Sequence, residues 1–354
     1  MFGAIIVVGA EETTDGNASV STRPAGEVLR GGNRLAGVEI LGRSLLEVTV
    51  ENLQSAGVGL ISVLTQGSIT ENPDVLYSEA DSLSSSKSSS PRGLVELLRV
   101  EDVAASVGSK LNDQRNSGID RSVVIRMGAY VEVDLNRAIQ FHHEERQAAI
   151  RLADADGSLD IWIVETSDFS AQADVLNSLA TAGLAACEVN GYVNRLAHPR
   201  DLRQLAADSL AGRCRLRPRG SEIQPGIWVG EGAQVHRGAR VVAPAFIGRG
   251  SIIEDDCTIA DCSAIESDCE IDCGSTLSDV SLLPNTYIGI GLNIRHSVVN
   301  GGTLLSLEHD VTLEISDPGV MRQNKAPHKD VSRPSPVDVE VPGMLFTPAE
   351  EAAN

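Results

Sequence analysis

Aliphatic residues recur at every sixth position from Val229 to Leu283: Val229, Val235, Val241, Ile247, Ile253, Ile259, Ile265, Ile271, Leu277 and Leu283. Four places after each, the residue is small in all but one case: Ala233, Ala239, Ala245, Ser251, Cys257, Ser263, Cys269, Ser275 and Ser281, with Tyr287 the exception. A helix repeats about every 3.6 residues and a half-buried strand every two, so neither produces a strict period of six. The pattern is that of a hexapeptide β-helix. Each short strand sends one aliphatic into a narrow interior and turns a corner on a small residue. After Leu283 the period slips, resumes at Ile288 and Ile294, and a last irregular coil ends near Ile315.

The preceding residues read differently. Residues 3–8 are an unbroken apolar run, the mark of a buried parallel strand. A Gly/Thr/Ser-rich loop occupies 9–21. A helical pattern runs through Val48, Val50, Leu53 and Ala56 and closes on Gly57, and 58–64 is a second strand. Residues 93–107 carry a helical pattern, 122–127 a third strand, Leu135–Glu145 an amphipathic helix and 161–164 a fourth strand. Residues 171–182 and Pro199–Leu210 are further helices. This alternation predicts a doubly wound α/β domain over 1–212. A basic, irregular linker follows at 213–224, then the β-helix at 225–315. The tail, 316–354, is Pro-rich and reads as extended or disordered, with 339–346 the part expected to dock. The serine run at 84–90 reads as a surface loop.

Composition narrows the function classes. The formal charge of -20 argues against nucleic acid or an anionic membrane surface as partner. No apolar run approaches the roughly 18 residues of a membrane span, so no membrane insertion is expected. The short apolar opening lacks a basic flank and reads as a strand rather than a signal peptide. Cys257, Cys262, Cys269 and Cys273 cluster, but not at paired metal-ligand spacing, and two of them sit on the small-residue register. They read as buried or corner thiols, and no metal site is assigned. Reduced thiols without an export signal suggest a cytoplasmic location. Glu254, Asp255, Asp256, Asp261, Glu266, Asp268, Glu270 and Asp272 read as an exposed acidic flank of the β-helix.

Three stretches resemble the sugar-1-phosphate nucleotidyltransferases, such as mannose-1-phosphate guanylyltransferase and glucose-1-phosphate nucleotidyltransferases. Residues 42–58, Gly-Arg-Ser-Leu-Leu-Glu-Val-Thr-Val-Glu-Asn-Leu-Gln-Ser-Ala-Gly-Val, look like that family's "G-K/R-P-L-L-E … E-N-L … A-G-V" segment. Residues 123–135 look like the strand carrying "N-G-D". Residues 191–202, Gly-Tyr-Val-Asn-Arg-Leu-Ala-His-Pro-Arg-Asp-Leu, look like "G-Y-W-x-D-I-G-T-P-E-D-Y". The resemblance covers roughly 2–315. It implies a Rossmann-like, GT-A-like nucleotidyltransferase domain followed by a left-handed parallel β-helix. It also implies a nucleotide and sugar-phosphate pocket that maps by position onto Gly9, Ala10, Arg34, Gly128, Ala129, Gly191, Tyr192 and Arg195.

The departures fall where that family's chemistry lies. Its enzymes need a glycine-rich loop, cationic side chains and Mg2+ held by carboxylates. Here the loop reads Gly9-Ala-Glu-Glu-Thr-Thr-Asp-Gly-Asn, with Glu11 and Glu12 where the triphosphate would sit. The family's lysine aligns with Leu35, beside Arg34, and its two metal aspartates align with Ala129 and Arg195. An arginine cannot ligate Mg2+, although it can neutralise a phosphate. The expectation is therefore a catalytically inactive homologue without cofactor. It would act as a regulatory or scaffolding subunit, with a sugar nucleotide as possible ligand, in polysaccharide or cell-envelope precursor metabolism. The resemblance implies homo-oligomers through the β-helix, or hetero-oligomers with an active paralogue. One alternative is an active enzyme whose Mg2+ is held by displaced acids among Glu132, Asp134, Glu165 and Asp168. Another is a hexapeptide acyltransferase with a histidine base, His296 before His236 or His309. A purely structural assembly protein is the last.

Overall fold

The computed structural model describes residues 2–8, 37–65, 94–169 and 174–324, together with the backbone of 345–347. The chain divides into two compact units, Met1–Val38 with Ser44–His198, and Glu39–Arg43 with Pro199–Asn354. The division comes earlier than the boundary expected at residue 212, because the helix Pro199–Leu210 belongs to the second unit.

Up to that helix the elements are β1 (Phe2–Val8), β2 (Glu39–Ile40), β3 (Arg43–Ser44), α1 (Leu45–Ser55), β4 (Leu60–Thr65), β5 (Leu94–Arg99), α2 (Val103–Asn116), β6 (Arg121–Arg126), β7 (Tyr130–Val131), α3 (Leu135–Glu145), β8 (Ala149–Asp154), β9 (Gly157–Glu165), α4 (Thr166–Phe169), α5 (Val175–Thr181), β10 (Ala185–Glu188) and β11 (Val193–Asn194). The helix Pro199–Leu210 is α6. A seven-stranded sheet has the order β10-β8-β9-β6-β1-β4-β5. Only β9 runs antiparallel to its neighbours. Alternate side chains of β1 enter two cores. Ala4, Ile6 and Val8 pack with Leu46, Val50 and Leu53 of α1 and Leu135 of α3. Ile5 and Val7 pack with Val103, Val107 and Leu111 of α2 and Val175 of α5. A central parallel strand covered on both faces must be apolar throughout, as β1 is. Ser44 caps α1 by accepting a hydrogen bond from the Glu47 backbone N–H at 3.1 Å, the Ser-x-x-Glu pattern of a helix start.

The helix expected over 93–107 is two elements. Leu94–Arg99 is an edge strand parallel to β4, and the helix begins only after Asp102, whose side chain caps Ala105. Pairing to β4 overrides a local pattern with leucines at helical as well as strand spacing. The chain goes from β1 outward through β4 and β5, then crosses to β6 on the other side of β1. Open α/β sheets bind ligands at such a reversal, outside the carboxyl ends of the strands.

In the second unit the chain visits three parallel ladders in turn. The first contains Ile227–Val229, Ala245–Ile247 and Ala264–Ile265. The second contains Gln234–Val235, Ile252–Ile253, Glu270–Ile271 and Thr286–Ile288. The third contains Arg240–Val242 and Thr258–Ala260, and then the first residues of Thr276–Leu282 and of Asn293–Asn300. The six-residue aliphatics Val241, Ile247, Ile253, Ile259, Ile265, Ile271 and Leu277 form one buried cluster. Leu283 is not its next member; Leu282 is, facing Ile265 across the ladder. Asp261 and Cys262, both with positive φ, turn one corner together, whereas Asp279 turns the equivalent corner of the next coil alone. One residue is lost there, so the period slips before Leu283 rather than after it.

The small-residue register is a hydrogen-bonding register. Ser251 Oγ donates to the Glu266 carbonyl at 2.8 Å and accepts from Cys269 N–H at 3.0 Å. Ser275 Oγ donates to the Gly289 carbonyl at 2.7 Å and accepts from Leu292 N–H at 3.0 Å. Ser263 accepts from Val280 N–H at 3.1 Å, and the Cys257 and Cys269 thiols lie 3.1 and 3.2 Å from carbonyls of the following coil. Burial pushes both thiols above their usual range, so they sit protonated as corner fillers.

Short segments pair with the ends of the ladders. Ser221–Gln224, within the expected linker, pairs antiparallel with Ile227–Val229. Met321–Gln323, within the expected extended tail, pairs antiparallel with Thr286–Ile288. Leu345–Thr347, which overlaps the end of the stretch 339–346 expected to dock, lies parallel to Arg240–Val242. The expected loops at 9–21 and 84–90 lie outside the described residues.

Glu266, expected on the exposed acidic flank, is buried at 2 % exposure. Its carboxylate accepts hydrogen bonds from the backbone N–H groups of Leu41 at 2.7 Å and Gly42 at 2.8 Å. These two residues form the tight turn between β2 and β3, both with positive φ. Glycine is needed at 42 on two counts, since a Cβ would also meet Arg219 and Phe246 at 3.2 Å. Ser267 Oγ donates to Glu39 at 2.6 Å, which brings a second carboxylate close. Burial, reinforced by Glu39 and opposed by the two N–H groups, raises the Glu266 pKa from 4.5 to about 8. The folded chain therefore holds a proton that the unfolded chain releases above pH 4.5. This contribution to stability is full below that pH and is lost as pH rises towards about 8. Thermal melts from pH 5 to 8.5 should show Glu266→Gln gaining on the wild type as pH rises. Parallel curves would contradict this assignment.

Candidate functional site

Five of the expected site residues come together at the carboxyl end of β6. Strand β7 pairs antiparallel with β11, with Val131 opposite Val193 and Tyr130 opposite Asn194. Gly128 and Ala129 lead into one strand of this ribbon, and Gly191 and Tyr192 into the other. Continuing the register by one residue sets Arg195 opposite Ala129. Glu132 N–H donates to the Tyr192 carbonyl at 2.9 Å, and the Tyr130 and Tyr192 rings meet edge-on at 5.9 Å. Gly191 is required by close approach, because a Cβ there would lie 1.9 Å from the Glu132 carbonyl oxygen. Gly9, Ala10 and Arg34 lie outside the described residues.

Arg195 is already engaged. Its Nε donates to Asp154 at 3.2 Å and a terminal nitrogen meets the other carboxylate oxygen. The carbonyls of Gly157 and Ser158, each at 3.1 Å, take further hydrogen bonds. The arginine holds the Asp154 carboxyl below its usual range. At the end of β6, Arg126 closes on Asp160 at 2.6 and 3.0 Å. Arg126 and Arg195 thus tie down the β8–β9 hairpin. That hairpin was only half legible in the sequence, which revealed the strand at 161–164 and not β8.

The four acids considered as displaced metal ligands do not converge. Glu132 accepts from the Tyr130 hydroxyl at 2.8 Å, and Asp134 caps α3 through Arg137 N–H at 3.2 Å. Glu165 instead faces Arg121, the first residue of β6, and binds it at 2.7 Å. Asp168 follows in α4. The length of β6, about 17 Å, separates the two pairs. Among the described residues, no three His, Cys, Asp or Glu side chains gather to hold a metal ion.

The histidines differ. His309 is exposed, and half-exposed His236 contacts Asp255 at 3.0 Å. His296 stands at a corner, one coil beyond Asp279, with its Nδ1 2.6 Å from the Asp279 carboxylate. Arg203 of α6, 3 % exposed, contacts the same carboxylate and donates to the Asp261 carbonyl at 3.0 Å. The partners of His296 escaped the sequence reading. A coil of 17 residues places Asp279 beside His296, so the repeat itself carried the signal.

No known protein-family model matches this chain, and no curated protein matches it.

The Arg195 interactions predict a structural cost. Arg195→Ala removes the cation paired with Asp154, which keeps only backbone donors such as Asp156 N–H, together with the arginine donor to two hairpin carbonyls, and should lower unfolding free energy by about 1–3 kcal/mol. Urea denaturation measures it, and an unchanged midpoint would show that the pairing contributes nothing.

Proposed function

We propose that the chain is a sugar-nucleotidyltransferase homologue without catalytic activity, a regulatory or scaffolding subunit whose first unit binds a sugar nucleotide. The second unit is read as a left-handed hexapeptide β-helix that assembles copies of the chain, or joins it to an active paralogue, in the cytoplasm. The pathway by analogy is polysaccharide or cell-envelope precursor metabolism. The observation that carries this reading is the β7–β11 ribbon. It brings together the two positions that match the family's metal aspartates, and they hold an alanine and an arginine already paired to Asp154. Transfer of a nucleotidyl group needs divalent metal at the phosphates. The four acids weighed as substitutes are divided between opposite ends of β6. Mg2+ would enter only if the active alternative held.

A second reading is favoured by one contact. The Asp279 carboxylate at His296 Nδ1 orients the ring and leaves its other nitrogen as a base, as acyl transfer from a thioester requires.

A calorimetric titration of the full chain with GDP-mannose, UDP-glucose, dTDP-glucose and ADP-glucose, each with and without Mg2+, tests both readings when acetyl-CoA is added as a further ligand. The first predicts saturable binding of a sugar nucleotide that is indifferent to Mg2+. Binding that requires Mg2+ contradicts it. Binding of acetyl-CoA alone, with thioester cleavage lost in His296→Ala, would favour the second.

A further inference from the structure

The strand Val311–Glu314 ends a sheet that begins inside the coil. It pairs antiparallel with Thr303–Ser306, which pairs in turn with Asn293–Asn300. Among the described residues no strand pairs with its outer edge. Val299, Leu304 and Leu313 stand opposite one another across the three strands. Val299 is buried in the coil's apolar cluster, Leu304 packs against that cluster, and Leu313 is 47 % exposed. Val311, on the same face two residues away, is 45 % exposed. The apolar layer of the coil thus runs out to an exposed rim. The strand has no proline, lysine or bulge, the devices that keep open edges from pairing.

The ladder fixes which backbone groups the open edge presents. Ile315 N–H donates to the Gly302 carbonyl at 2.7 Å, so residues 311, 313 and 315 direct their backbone groups inward. Thr312 and Glu314 direct theirs to the open side. The C-terminal part of this chain is a poor occupant. Leu345–Thr347 pairs beyond Arg240–Val242, six strands away in the same sheet, about 29 Å of sheet. The alternating stretch Val337-Asp-Val-Glu-Val ends four residues before Leu345, and four residues span at most about 14 Å. Residues 325–336 place Pro327, Pro334 and Pro336 around a single Val331, a composition that opposes a ladder strand.

We propose that Val311–Glu314 is the contact between two copies of this chain, paired antiparallel about a two-fold axis at Leu313. In that register Thr312 exchanges backbone hydrogen bonds with the partner's Glu314, and the symmetric pair does the same. Leu313 and Val311 face the partner's Leu313 and the partner's Ile315. Charge selects this register. An axis at Thr312 would set Glu314 against the partner's Asp310, and an axis at Glu314 would oppose two carboxylates. With the axis at Leu313 no acid faces another, which matters on a chain of formal charge -20. An isologous contact of this kind uses the whole edge and closes as a dimer. It names the surface for the assembly of copies proposed above and rests on that part of the reading alone.

The test is sedimentation velocity of the full chain over a wide range of concentration. The wild type should form a dimer. Thr312→Pro removes an N–H that faces the open side and leaves the inner ladder its donors, so it should weaken the dimer about tenfold or more with an unchanged circular dichroism spectrum. Should that variant misfold, cysteine cross-linking reads the register instead, in a Cys273→Ser background because Cys273 is exposed. Under mild oxidation Leu313→Cys should give covalent dimers, since facing residues of a non-hydrogen-bonded pair lie within disulfide reach, and Thr312→Cys should not. A chain that stays monomeric throughout would overturn both this contact and the assembly of copies under the proposed function. A dimer undiminished in folded Thr312→Pro, or cross-linking no better at 313 than at 312, would overturn this contact alone.

Discussion

The interior of the coiled unit admits one aliphatic side chain per strand, and its corners admit only side chains that fit between successive turns. Ser251, Ser263 and Ser275 meet both demands of a corner. They are small, and each hydroxyl serves a carbonyl and an N–H that the chain's change of direction would leave unpaired. Alanine fills the same space without those bonds, and a larger residue does not fit. Tyr287, where the small register fails, lies where the spacing has already changed. Its hydroxyl reaches Asp272 at 3.0 Å and Arg322 stacks on its ring.

That constraint also governs the polar groups. A corner turned by two residues, Asp261 and Cys262, keeps the period at six, while a corner turned by Asp279 alone shortens the coil and sets Asp279 beside His296. Glu266 follows the inward Ile265, and its carboxylate holds the Leu41–Gly42 turn. A segment of only five residues from the first part of the chain, Glu39–Arg43, thereby belongs to the second unit.

The period made the coil legible because one side chain in six has no alternative environment. Alternation of apolar runs and amphipathic segments likewise disclosed β1, α1, α3 and α6, whose buried faces repeat at a single period. What stayed hidden depends on partners distant in sequence. Leu94–Arg99 is a strand because β4 lies beside it, and β8 is defined by its pairing with β9 and β10. The burial of Glu266 is set by residues more than two hundred positions away. The site was legible as two short segments that prove to be neighbours, Gly128–Ala129 and Gly191–Arg195. The engagement of Arg195 by Asp154 was not, since nothing local marks Asp154 as its partner. The outward corner positions beside His296 were likewise obscured by the one-residue slip.

The proposed function rests on the alanine and the engaged arginine that stand at the ribbon where the resembled family carries metal carboxylates. Its most direct test is pyrophosphate release when the full chain is incubated with Mg2+, each nucleoside triphosphate and mannose-1-phosphate or glucose-1-phosphate. The proposal predicts no release above a protein-free control under conditions where a competent nucleotidyltransferase turns over. Release that depends on both substrates and on Mg2+ would contradict it.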